Sequence, residues 1–192
     1  MTKFLRKLAI YLLILLGCVA LVFASLLLLP NKYTKDSHEM NLVYSINRLK
    51  HLNEPKIVII GGSGCGFGVD SELLFSHYKR PIVNTGTHAG LGLRLQIELF
   101  KDYIQEGDVV VVIPEYQQYQ DHLCYGNSTA LRILSSIYPA GFKAVSVEQW
   151  IYLHKFIPET FINALSSKEM KDAALTPYSK ESLNQFGDVT MY

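Results

Sequence analysis

At 192 residues the chain has room for one ordinary domain of about 100–200 residues. Apolar residues make up 49% and charged residues 18%, with 12 Tyr and 9 Phe, which excludes a disordered, charge-rich chain. The net charge of +1 joins two opposed parts: Lys3, Arg6 and Lys7 stand at the amino end, and past Pro30 fifteen basic side chains meet seventeen acidic ones. That balance has no basic stripe of the kind nucleic-acid binding requires, so no nucleic-acid partner is expected.

Residues 8–29 carry no charge, and Pro30 closes the run. As a helix these 22 residues measure about 33 Å, enough for a hydrocarbon core of about 30 Å and longer than the core of a cleaved signal. Cations ahead of the run outnumber Lys32 and Lys35 just after it, which predicts a cytoplasmic amino terminus and a domain outside. The expected organisation is a basic tail over 1–7, a transmembrane signal anchor over 8–29, a tether over 30–55 and an α/β domain over 56–192. Within the tether, 42–52 carries a short helical pattern.

The first strand signal is the β-branched run at 56–60, closed by Gly61 and Gly62. Asp70 offers a helix start, and 81–84 reads as a second strand. The segment 91–106 fits both periods; its length and Gly107 decide for a helix. Five consecutive β-branched residues at 109–113 make the clearest strand. Strand, helix, strand, helix, strand at this spacing implies right-handed crossovers and a parallel sheet in a three-layer α/β domain. Beyond it, 115–126 is a polar, Tyr-rich loop, and helices are predicted near 128–138, 145–156 and 159–172. Three strands fall short of the five or six common in doubly wound folds, so the sheet is expected to be unfinished within these residues and to continue past Tyr192.

Ligands in parallel sheets bind beyond the carboxyl ends of the strands, where loops 61–68, 84–90 and 115–116 converge. The glycine-rich first loop admits a phosphate cradle, but it has no G-x-G-x-x-G register and no Walker lysine. The second strand also ends in Asn84 rather than an acidic residue. A sharper reading makes Ser63 a nucleophile on a tight turn, with Gly62 and Gly64 leaving room for a substrate carbonyl and the Ser63 N–H facing the oxyanion. The plainer alternative is a serine at an ordinary strand-to-helix turn. Cys65 and Cys124 stand either as a disulfide or as separate thiols. With His122 they lack the spacing of a zinc module, so no metal is expected. The stretch 116–122 suits a sugar platform or a solvated loop equally.

Ile59-Ile60-Gly61-Gly62-Ser63 resembles the first block of the SGNH (GDSL-type) hydrolases. Val83-Asn84-Thr85-Gly86, followed by Gly90, is similar to their second block, and the strand at 108–113 sits where the strand before their third block would be. The resemblance covers residues 56–116. It implies a flavodoxin-like sheet, Ser63 as nucleophile and the Gly86 and Gly90 N–H groups as oxyanion donors. Substrate would contact Gly62, Gly64, Asn84, Glu115 and Tyr116, with no cofactor.

Two blocks depart from the family. Where Gly-x-Asn-Asp is expected, the chain reads Pro114-Glu115-Tyr116-Gln117, and an ionised Glu115 has no proton to donate. Gln117 or Asn84 would have to stand in. The family's Asp-x-x-His is absent, which leaves His88, ahead of His122, as the stand-in base.

An anchor ahead of such a domain resembles the accessory proteins of envelope polysaccharide O-acetylation. That implies a bacterial inner membrane, a membrane-bound O-acyltransferase partner and a carbohydrate substrate. The expected function is an esterase or O-acetyltransferase; the alternative is a non-catalytic subunit that binds glycan or the acyltransferase. Lacking its base, the chain as it stands is expected to be hydrolytically inert, with any Asp-x-x-His lying downstream.

Overall fold

The computed structural model describes residues 2–28, 35–119, 122–166 and 178–190. Helix α1 spans Thr2–Leu28, and its apolar stretch Lys3–Val22 is unburied, with a mean hydropathy of 2.2. At 27 residues it is about 40 Å long. It is one amino-terminal apolar helix with the dimensions of a signal sequence or a single anchor.

Three parallel strands form the sheet: β1 (Ile57–Gly61), β2 (Ile82–Asn84) and β3 (Val109–Ile113), in the order β2-β1-β3. Ile57 pairs with both Ile82 and Val109, so one register runs across all three. The central strand is buried throughout, as a continuous apolar run predicts. Its side chains alternate between two cores. Val58 and Ile60 join Val83 beneath α2 (Asn41–His51), α5 (Leu93–Phe100) and α6 (Ser128–Ser136). On the other face Ile57 and Ile59 join Ile82, Cys65 and Phe186. The class is α/β, as expected.

Local signals place three of the helix starts. α4 (Ser71–Tyr78) begins where the Asp70 carboxylate accepts from the Leu73 N–H at 2.8 Å. Asn127 caps α6 through the Thr129 N–H, and Ser146 with Gln149 forms a capping box at α7 (Val147–Leu153). α8 covers Ile157–Ser166; the rest of the helix predicted over 159–172 lies outside the described residues. The helix expected over 91–106 is shorter, because Gly92 at φ +82° separates a 3-10 turn from α5. Gly107 follows as the predicted stop, at φ +88°.

Two expectations need correction. Part of the tether belongs to the domain: Leu42, Ile46 and Leu49 of α2 are in the core, and buried Asn41 donates to the Asn84 and Gly86 carbonyls. The apolar face of an amphipathic helix found somewhere to pack, and that place was the sheet. The glycine-rich loop is also not a loop. Residues Ser63–Gly68 form the short helix α3, set so close to 84–86 that a Cβ on Gly86 would meet the Gly66 nitrogen and the Cys65 Cβ. Gly61, Gly62, Gly66 and Gly86 serve close packing, whereas Gly64 and Gly68 have room for a Cβ.

The two sheet edges differ. Residues 178–190 fold along β2, with the Asn84 N–H donating to the Phe186 carbonyl at 2.8 Å and the Val189 N–H to the Gly66 carbonyl at 2.7 Å. Strand β3 has no such cover among the described residues, and its five side chains are between 37% and 44% exposed. Beside it, between β3 and α4, runs an apolar groove of about 590 Å³.

Candidate functional site

The carboxyl ends of β1, β2 and β3 deliver Ser63, the 84–90 loop and Glu115 to one end of the sheet, as the topology requires. Ser63 is the first residue of α3, half-buried, with Gly62 as the preceding cap. Its hydroxyl donates to Glu115 Oε1 at 3.1 Å. The same oxygen accepts the Gly64 N–H at 3.0 Å. Gly62 makes this approach possible: a Cβ there would collide with Glu115 Oε1 and lie 3.0 Å from the Ala89 nitrogen.

Glu115 is held from behind by an amide relay. Its N–H donates to Gln118 Oε1 at 2.9 Å, and the Gln118 amide donates to the Ala89 carbonyl and to Gln96 Oε1. Gln96 in turn donates to the carbonyls of Gly61 and His88. Both glutamines are 1% exposed, so the relay ties all three loops together without solvent. Sequence reading missed Gln96 and Gln118, since neither lies in a motif and their partners are distant in the chain.

The oxyanion donors implied by the resemblance are spent elsewhere. The Gly86 N–H goes to Asn84 Oδ1 at 3.0 Å, and the Gly90 N–H to His88 Nδ1 at 2.9 Å. The Ser63 N–H has no partner among the described residues and remains available. Asn84 is fully buried and out of reach of a substrate. Its amide donates to the Cys65 carbonyl and to Asp188 Oδ1, at 2.9 and 2.8 Å. Tyr116 and Tyr119 are exposed at 76% and 70%, beside exposed Gln117.

His88 is not the partner of Ser63. Its Nδ1 accepts from Gly90, so the neutral ring carries its proton on Nε2. Burial holds it below the ordinary histidine range; Arg132 and His38 act in the same sense, and Glu39 and Glu115 oppose. Glu39 and Arg132 form a two-pronged pair with both contacts at 2.6 Å. His38 Nε2 lies 3.3 Å from the Thr87 carbonyl. These three residues also escaped sequence reading, because only tertiary contact brings 38–39 beside 87–88.

The cysteines are separate thiols. Cys65 is buried against the Ile113 carbonyl, and burial, reinforced by the Glu115 charge, pushes its thiol up to about 11. Iodoacetamide at pH 8 should therefore alkylate the half-exposed Cys124 in the native chain and spare Cys65. Peptide mass mapping reads this out, and equal rates at the two positions would contradict it. No group of three metal-ligating side chains occurs among the described residues. Comparison with known proteins finds no matching family model, no matching curated protein and no matching solved structure.

Proposed function

We propose that the chain is a membrane-anchored SGNH-like domain that transfers or removes acyl groups, acetyl foremost, on envelope carbohydrate. The observation that carries this reading is the Ser63 hydroxyl bonded to Glu115 at the carboxyl edge of the sheet. The strand order 2-1-3 agrees with the opening of the flavodoxin-like order, which supports the fold assignment. In this reading α1 is a signal anchor, with Lys3, Arg6 and Lys7 keeping its start in the cytoplasm and the domain facing outward.

Glu115 takes the role the resemblance assigned to a histidine. As Ser63 Oγ attacks the ester carbon, Glu115 Oε1 accepts its proton. The C–O bond to the leaving alcohol breaks, that oxygen recovers the proton, and an acyl-Ser63 remains. A second alcohol, or water, then reverses the steps. The Ser63 N–H stabilises the oxyanion. Exposed Tyr116 and Tyr119 offer aromatic faces to a sugar.

A second reading has one observation in its favour: with the Gly86 and Gly90 N–H groups occupied, the oxyanion site is short of donors. It makes the domain a non-catalytic subunit that binds glycan or a membrane-bound O-acyltransferase. A fluorophosphonate probe on the full chain in detergent separates the two. Labelling that vanishes in Ser63→Ala and slows about 100-fold in Glu115→Gln supports the enzyme. An unlabelled, folded chain supports the binding subunit.

A further inference from the structure

We propose that β3 is a self-pairing edge, through which two copies of the chain join antiparallel about Val111 into one six-stranded sheet. The Val109 N–H donates inward to the Lys56 carbonyl at 2.9 Å. Strand alternation then points the N–H and C=O of Val110 and Val112 outward, away from β1. None of these four groups has a partner among the described residues. The next outward position is Pro114, which has no N–H to leave unpaired. The edge is therefore two residues long.

A two-fold axis through Val111 satisfies that edge completely. It sets Val110 of one copy opposite Val112 of the other, and each such pair exchanges two hydrogen bonds. Val111 meets its own copy at the close, non-hydrogen-bonded position, and Val109 meets Ile113. Every cross-strand pair is β-branched, the type that packs best between strands.

The exposed apolar area fits a second copy. The five β3 side chains, with Leu73 and Tyr78 at the groove, are between 37% and 65% exposed. Together they offer on the order of 600 Å² per protomer, the low end of the roughly 600–1,000 Å² each partner contributes to a stable interface. An open, apolar edge is otherwise an aggregation hazard that proteins blunt with charge, and β3 carries none.

The test uses the full chain in detergent with Cys18→Ser and Cys124→Ser, leaving only the buried Cys65. Under mild oxidation Val111→Cys should form a covalent dimer in good yield. Val110→Cys alone should not, since its two copies would lie about 9 Å apart, beyond disulfide reach. Mixed Val110→Cys and Val112→Cys chains should link to each other. With native β3, light scattering should give twice the chain mass, and Val111→Lys should halve it while thermal unfolding stays cooperative. A folded, monomeric native chain would overturn the proposal and leave the edge to a further strand, of this polypeptide or another. So would Val110→Cys self-linking as readily as Val111→Cys, which would mean another register.

Discussion

Asp108→Asn should destabilise the domain by about 3–5 kcal/mol, because it strands a buried cation. Lys56 Nζ lies 2.8 Å from Asp108 Oδ2 where β1 and β3 begin, and neither side chain is exposed. Among the described residues no other partner reaches that ammonium group. Asp108 also accepts the backbone N–H groups of Lys56 and Gln105, at 3.0 and 2.8 Å. Asparagine keeps one acceptor oxygen, enough for one of these two bonds, puts an amide NH2 in place of the other, and removes the countercharge. The double variant Lys56→Met/Asp108→Asn should therefore recover most of the loss, since it leaves neither charge behind. Urea unfolding of the native chain and the two variants, followed by near-ultraviolet circular dichroism, decides the matter. A loss under about 1 kcal/mol for Asp108→Asn would mean the pair contributes little.

The same pair sets an acid limb. Burial by itself raises the Asp108 carboxyl, but the Lys56 ammonium and the two backbone donors outweigh it and hold the group below its ordinary value. A depressed folded-state pKa contributes stability that is present above the unfolded value, about 3.9, and is lost as pH falls through the folded one. The native chain should therefore lose stability below about pH 4 more steeply than the double variant.

Asn84→Ala is the second large effect, expected to cost about 2–4 kcal/mol. The change removes three buried bonds at once, to the Cys65 carbonyl, to Asp188 Oδ1 and from the Gly86 N–H. Asp188, itself 3% exposed, then keeps the Ser71 hydroxyl and N–H and the Asn184 amide as partners. The 178–190 segment should loosen from β2 and α3, raising amide exchange at position 84, whose N–H donates to the Phe186 carbonyl, and at Val189, whose N–H donates to the Gly66 carbonyl. Unchanged stability would mean Asn84 is kept for a ligand, as the sequence reading had it. The geometry points to structure instead.

What residues settle locally was legible in the chain by itself. The β-branched runs at 57–60 and 109–113 became strands, because backbone sterics and apolar continuity act over a few residues. Asp70, the offered helix start, became a cap, because a short polar side chain reaches N–H groups two or three residues on. The uncharged amino-terminal run became a long helix for the same kind of reason.

Tertiary structure alone decided which of these elements meet. Glu115 lies 52 positions from Ser63, and nothing in either segment announces their bond. Asn84 read as a loop residue at a ligand site until Asp188, 104 positions on, arrived to bury it. The valines of β3 spelled the clearest strand, yet the order β2-β1-β3 left them on an edge that is open among the described residues. A side chain's propensity is written in its own few neighbours. Its burial, its hydrogen-bond partner and so its chemistry depend on contacts that form only when distant segments pack.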